Sequence, residues 1–242
     1  MKRLIVFGDS FSSTNYCVDV DASFYGLLAK DLKVDCVINY SWPGNDLTTI
    51  KHLVVNEIDQ FDHRNDYVVI GIPPIERVTL YDSDNADSRT YNRSLIAPDW
   101  QVQQQKIECI EGTITGPLHE MVPGYIALYD RSWHEAMALT DINLLHAFMN
   151  SKQFRSMIVN LGQPFEPSTQ WNTLSHLIYQ TKKHKNNIIF DNTYYSVNYQ
   201  KNIPVDYDRY GWFGHHGSAG NDLWYSEAIK PLAQSLGWID NA

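Results

Sequence analysis

Short apolar runs alternate with amphipathic stretches through the first third of the chain. Leu4-Ile5-Val6-Phe7 is apolar and ends at Gly8, so residues 3–7 read as a buried parallel strand. Residues 22–32 follow a helical period, with Phe24, Leu27, Leu28 and Leu32 on one side and Asp21 as N-cap. A second strand is expected at about 34–40. Residues 46–58 return to the helical period through Leu47, Ile50, Val54 and Ile58. Tyr67-Val68-Val69-Ile70-Gly71-Ile72 reads as a third strand. This β-α-β-α-β opening implies a parallel sheet with right-handed crossovers.

The alternation then breaks. Pro73-Pro74 stops the third strand, and residues 76–130 lack helical periodicity. Alternation around 101–115 and turn signals at Gly112, Gly116-Pro117 and Pro123-Gly124 suggest an inserted loop or small β-hairpin element. Tyr91, Trp100, Tyr125 and Tyr129 are too many aromatics for a disordered spacer. A long helix follows at about 132–150, with Trp133, Met137, Leu144, Leu145 and Phe148 expected to face inward. A strand at 155–161, a helix at 168–183, a short strand at 187–190, a loop over 191–220 and a helix at 222–236 complete the chain. The expected fold is one α/β domain over 1–242: a three-layer α/β/α sandwich of flavodoxin-like character. Its parallel sheet has about five strands, with an insertion after the third.

Composition narrows the function classes. With 19 Lys+Arg against 28 Asp+Glu, the net charge of −9 offers no basic face for phosphate, so nucleic acid is not an expected partner. No run of about 20 apolar residues is present, so no membrane span is expected. Three cysteines, Cys17, Cys36 and Cys109, make neither a disulfide framework nor a zinc spacing. Free thiols in a reducing compartment are expected, and the apolar run at the N-terminus is too short for a signal peptide. The expected location is the cytoplasm, with release only by another route such as lysis. Aromatics reach 13%, including 15 Tyr and 7 Trp, side chains that fill cores and also line sites for sugars.

Ligands of open α/β sheets bind at the carboxyl ends of the strands. After the first strand stands Gly8-Asp9-Ser10, and after the second Asn39-Tyr40-Ser41-Trp42-Pro43-Gly44-Asn45. Gly214-His215-His216-Gly217-Ser218 precedes the last helix. A serine, a turn glycine and a histidine on one edge suit acyl transfer. The hydroxyl becomes nucleophilic when a base takes its proton, and histidine titrates near neutrality. Backbone N–H groups at such turns can hold the oxyanion.

In these residues the chain resembles the GDSL esterase/lipase family, also called SGNH hydrolases. Gly8-Asp9-Ser10 matches the family's first block, and Gly44 in Asn-x-Ser-x-Pro-Gly matches the second. His216-Gly217-Ser218 resembles the C-terminal block. The correspondence spans most of the chain except 76–130. It implies Ser10 as nucleophile, His216 as base and Gly44 as an oxyanion donor, with no cofactor and no metal. The α/β-hydrolase elbow Gly-x-Ser-x-Gly is absent, since position 12 is Ser.

Two departures stand out. The third block, normally Gly-x-Asn-Asp, reads Gly71-Ile72-Pro73-Pro74, and proline supplies no donor. The Asn45 side chain and Arg77 are the candidate substitutes. The acid three residues before the base is also missing, because Phe213 stands there. Asp208 is preferred over Asp206 as the orienting carboxylate, and a Ser–His dyad resting on a backbone carbonyl is the other arrangement.

The expected function is serine-dependent hydrolysis of carboxylic esters. Small acyl or O-acetyl esters, including those of carbohydrate, are favoured over long lipids by analogy with the family. The alternative is an SGNH-fold binding or scaffold protein with an impaired site. A flavodoxin-type phosphate-binding domain ranks lower, because no Gly-rich phosphate loop is present.

Overall fold

A computed structural model of the chain describes residues 1–13, 20–42, 45–75, 78–80, 94–96, 131–162, 164–165, 172–183, 187–189, 191–201, 203 and 217–240. Five strands form a parallel sheet: β1 (Arg3–Phe7), β2 (Cys36–Asn39), β3 (Tyr67–Ile72), β6 (Arg155–Asn160) and β7 (Ile188–Ile189). Their order is β2-β1-β3-β6-β7. β4 (Val78–Leu80) and β5 (Ser94–Ile96) pair antiparallel as a separate hairpin at the start of the expected insertion. The alternation expected at 101–115 lies outside the described residues.

Helices cover both faces, as a fully buried parallel sheet requires. On one face α2 (Leu47–Glu57), α3 (Arg131–Ser151) and α4 (Asn172–Lys183) pack over Ile5, Phe7, Val68, Ile70 and Ile158. The other face packs Leu4, Val6, Val69, Met157 and Val159. It is covered by α1 (Phe24–Leu32), α5 (Tyr194–Gln200), α6 (Gly217–Trp224), a π-helical turn (Tyr225–Ile229) and α7 (Lys230–Ser235). Alternate residues of each strand feed the two cores, because successive side chains point to opposite faces. This is the expected three-layer α/β/α architecture.

Local chemistry explains where the helices start. Ser23, not Asp21, caps α1: its Oγ accepts from Gly26 N at 3.0 Å, while Asp21 lies in a 3-10 turn over Val20–Ala22. Both residue types cap well, so sequence could not rank them. Asp46 caps α2 by accepting from Thr49 N at 2.8 Å. α5 replaces part of the loop expected over 191–220. Thr193 Oγ1 accepts from Ser196 N at 3.1 Å, and Tyr194 and Val197 are buried. A helix this short gives too few turns for a period to show; tertiary burial sustains it. The last helix begins at Gly217, earlier than expected. Its π turn is explained by Pro231, which has no N–H to give the preceding turn. Lys230 N bonds Tyr225 O, five residues back.

The expected inward set of α3 is only partly right. Ala136, Leu139, Ile142, Leu145 and Met149 form its buried side, whereas Trp133, Met137 and Leu144 face outward. An uninterrupted apolar helix surface does not say by itself which side meets the sheet.

The π turn also positions an acid-sensitive contact. Tyr225 Oη donates to Asp31 Oδ2 of α1 at 2.5 Å, and Lys230 Nζ lies 3.2 Å from the same oxygen. The tyrosine bond, then Lys230, holds the Asp31 carboxyl below its usual range. Burial, then Asp31, pushes the Tyr225 phenol upward. A depressed carboxylate contributes stability that is present above its unfolded pKa and lost as pH falls through the folded one. Tyr225→Phe is therefore expected to cost about 1 kcal/mol at neutral pH, a value discounted for the exposure of Asp31. The difference from wild type should shrink below pH ~4. Urea unfolding of both proteins at neutral and acid pH checks this, and an equal difference at both would contradict it.

Among the described residues, no helix is long and apolar enough to cross a membrane.

Candidate active site

The sheet order puts a topological switch point where the site was expected. From β1 the chain runs outward to β2, then returns to β3 on the other side of β1. The carboxyl ends of β1 and β3 therefore flank a topological switch point, where α/β proteins bind ligands. Ser10 follows β1 at this point, and Pro73-Pro74 follows β3.

A tight turn holds Ser10. Asp9 is fully buried and its Oδ1 accepts from Phe11 N at 3.1 Å. Ser12 N donates to Asp9 O at 3.0 Å and Ser13 N to Ser10 O at 3.3 Å. The Asp9 bond is an Asx-type turn, which aspartate forms from its own side chain. It leaves Ser10 at 6% exposure.

The β2–α2 loop is tied to the same turn. Gly8 O accepts from Asn45 Nδ2 at 3.0 Å and from Trp42 N at 3.4 Å. Asn39 Nδ2 donates to Ser12 O at 2.7 Å, while Asn39 Oδ1 accepts from Ser41 N at 2.8 Å. Asn39 and Asn45 thus brace the Ser10 turn from the side. One N–H of the Asn45 amide is committed to Gly8, so the residue expected as an oxyanion donor is first of all a brace.

Gly8 is required by close approach. A Cβ there would fall 2.7 Å from Ser12 Oγ, 2.8 Å from Ser12 Cβ and 3.2 Å from Ser41 Oγ. Gly71 on β3 stands in the same relation, with Ser12 Oγ 3.1 Å and Leu161 Cδ1 2.6 Å from its would-be Cβ. Ser12 therefore fills the gap between the ends of β1 and β3. Gly8→Ala is expected to displace Ser12 and with it the Asp9–Ser12 turn. The overpacking should cost about 1–3 kcal/mol, and activity should fall by more than that stability loss explains. Thermal unfolding and esterase assays run side by side test this; full activity in a folded G8A protein would contradict it.

Gly44, Arg77, Asp206, Asp208 and His216 lie outside the described residues. Of the expected site residues, Ser10 and Asn45 are described, and Gly8 O links them. At the third-block position Pro73 is buried and Pro74 packs against Gly162, whose would-be Cβ is 2.9 Å from Pro74 Cα. Sequence reading overlooked Asn160. It ends β6 in register with Ile72 of β3 and is buried, with Oδ1 accepting from Gly162 N at 2.9 Å. An asparagine closing an apolar strand was the available signal. Among the described residues no three His, Cys, Asp or Glu side chains gather as a metal site would need.

No protein-family model matches the sequence, and no curated protein sequence matches it. Solved structures do. An acetyl-xylooligosaccharide esterase from Geobacillus stearothermophilus superposes with a TM-score of 0.50 at 14% identity, over 100% of this chain and 97% of that one. A lipase from a goat rumen metagenome gives a TM-score of 0.50 at 10% identity, over 96% of this chain and 97% of the other. Identities this low speak for architecture rather than chemistry, and on that measure the chain shares the α/β fold of these two proteins.

Proposed function

We propose that the chain is a serine hydrolase of small carboxylic esters, acting through an acyl-enzyme on Ser10. The observation that carries this reading is the seat of Ser10: an Asx-type turn at the carboxyl end of β1, beside the switch point and braced by Asn39 and Asn45. In the proposed reaction His216 takes the Ser10 proton as Oγ attacks the acyl carbon. The N–H groups of Ser10 and Gly44 receive the oxyanion, with the second N–H of Asn45 or Arg77 as further donors. The C–O bond to the alcohol breaks and His216 returns the proton to it. Water, deprotonated by His216, then attacks the acyl carbon and releases the acid and free Ser10. Asp208 orients the imidazole. The whole chain serves as one hydrolase domain, and residues 76–130 are its insertion.

We further assign the alcohol to the carbohydrate class and the acyl group to acetyl or a similarly short one. Trp42 supports this. It is 43% exposed, and its main-chain N–H donates to Gly8 O, two residues before Ser10. A part-exposed indole on a loop tied to the Ser10 turn can offer the flat apolar face on which sugar rings stack. The acetyl-xylooligosaccharide esterase of the same fold is a precedent for such a substrate.

Pro73-Pro74 favours a second reading, an SGNH-fold binding protein without turnover, because it leaves the third-block donor unfilled. Labelling with a fluorophosphonate probe separates the two. Wild type is expected to label and Ser10→Ala to stay unlabelled. A folded wild type that neither labels nor cleaves p-nitrophenyl acetate would overturn the hydrolase reading.

A further inference from the structure

Two helices on one face of the sheet start on the same asparagine. Asn221 of α6 is buried, and both ends of its amide are committed. Its Oδ1 accepts from Phe24 N, the first N–H of α1, at 3.2 Å. Its Nδ2 donates to Gly217 O, at the start of its own helix, at 2.9 Å. The first N–H groups of a helix have no partner within it, so a buried start needs an acceptor from elsewhere. Ser23 serves Gly26 N in that turn, and Asn221 serves Phe24 N. Asparagine is a poor residue for a helix interior, because its amide competes for backbone groups. A buried one that commits its whole amide to two helix starts answers a need for position, not for helix.

Gly217 directly follows His216 in the chain and stands at φ 57°, in the left-handed region that residues with a Cβ avoid. Glycine has the freest backbone of all residues, so by itself it sets its neighbour loosely. The bond from Asn221 removes part of that freedom at the carbonyl of the same residue. The rest of α6 is seated toward the Ser10 turn through rings. Phe11, next to Ser10, packs on Tyr194 of α5 with centroids 5.3 Å apart. Tyr194 packs on Trp224 of α6 at 5.3 Å, and Trp224 on Phe24 at 4.9 Å. Trp224 is fully buried, and its Nε1 donates to Asn192 O at 3.0 Å. Asn221 and Trp224 are three residues apart and share one side of α6. The rings therefore fix the body of the helix, and Asn221 carries that seating to its first residue.

We propose that Asn221 is a positioning residue for the base: by holding Gly217 O it sets the reach of His216 toward Ser10. The proposal rests on the reading of Ser10 and His216 given above. A base acts only within hydrogen-bond reach of the proton it takes, and a misplacement of about 1 Å costs ~10²-fold in rate. The donor half of the Asn221 amide does the setting, and the acceptor half ties it to α1.

Three substitutions separate the two halves. Asn221→Asp keeps an acceptor for Phe24 N and loses the donor to Gly217 O. Asn221→Thr keeps a hydroxyl that can donate to the carbonyl four residues back. Asn221→Leu keeps neither. On p-nitrophenyl acetate, kcat is expected to fall ~10–100-fold in the Leu and Asp variants with KM within ~3-fold of wild type, and to return to within ~5-fold in the Thr variant. Ser23→Ala loosens the same helix junction without touching Gly217, so it should lower Tm and leave kcat unchanged. A second readout needs no turnover. The imidazole NMR signal that disappears in His216→Gln should move in the Leu variant and stay near its wild-type position in the Thr variant. A Leu or Asp variant with wild-type kcat, an equal loss of kcat in Ser23→Ala, or a His216 signal unmoved in the Leu variant overturns the proposal. A wild type without esterase activity overturns the hydrolase reading instead, and the imidazole signal alone then decides the role of Asn221.

Discussion

Ser10→Ala is expected to lower hydrolysis of a short-chain ester at least ~10⁴-fold, with little change in thermal stability. In serine hydrolases, loss of the nucleophile costs up to ~10⁶ in turnover, and the remaining acceleration comes from the oxyanion donors and binding. A loss of ~10⁴ corresponds to ~5 kcal/mol of transition-state stabilisation. Three bonds that build the turn at Ser10 are main-chain or belong to Asp9: Ser12 N to Asp9 O, Ser13 N to Ser10 O and Phe11 N to Asp9 Oδ1. An alanine keeps all of them, so the fold should persist while the chemistry stops. Initial rates on p-nitrophenyl acetate, beside a melting curve, give both numbers. A variant retaining a tenth of wild-type activity would exclude Ser10 as the nucleophile.

Asp66→Ala should have the opposite signature. Asp66 precedes β3, is fully buried, and receives Arg3 of β1 through Nε at 3.0 Å and Nη2 at 2.5 Å. It also accepts from Arg3 N at 3.1 Å and Asp62 N at 2.9 Å. The guanidinium is held above its usual pKa mainly by this bond. Removing the carboxylate orphans two backbone donors and a partly buried cation. Breaking a buried pair in this way costs 3–5 kcal/mol. Arg3 keeps 23% side-chain exposure, so the lower end, about 3 kcal/mol, is expected. In a chain of 242 residues that lowers Tm by ~6–12 °C. The pair ties the amino ends of β1 and β3, at the edge of the sheet opposite Ser10. Activity well below Tm should therefore survive. Denaturant unfolding checks the stability, and a loss under ~1 kcal/mol would show that the pair contributes little.

Much of the architecture was legible because its signals are local. The runs at Leu4–Phe7 and Tyr67–Ile72 are too apolar to lie anywhere but inside a sheet covered on both faces, and all of these residues are buried. The turn after β1 was legible because aspartate makes its own bond to Phe11 N. Other features were not. Ser23 and Asp21 are equally good caps by type, and the choice fell to the packing of Phe24 against Tyr25 and Trp224. α5 was missed because its burial comes from partners far along the chain: Tyr194 packs against Phe11 and Trp224. The outward side of α3 was misread for the same reason.

By itself the sequence determined the parallel strands and most of the helices that cover them, and that a serine follows the first strand. Those properties depend on neighbours within a few residues. Only the tertiary structure decided the order β2-β1-β3-β6-β7, which puts Ser10 at a switch point. It also decided that Asn45 braces Gly8, that Asp66 meets Arg3, and which stripe of α3 remains outside. Each of these is a contact or an exposure between segments distant in the chain. Chain spacing does not set such distances; packing of two helix layers onto one twisted sheet does.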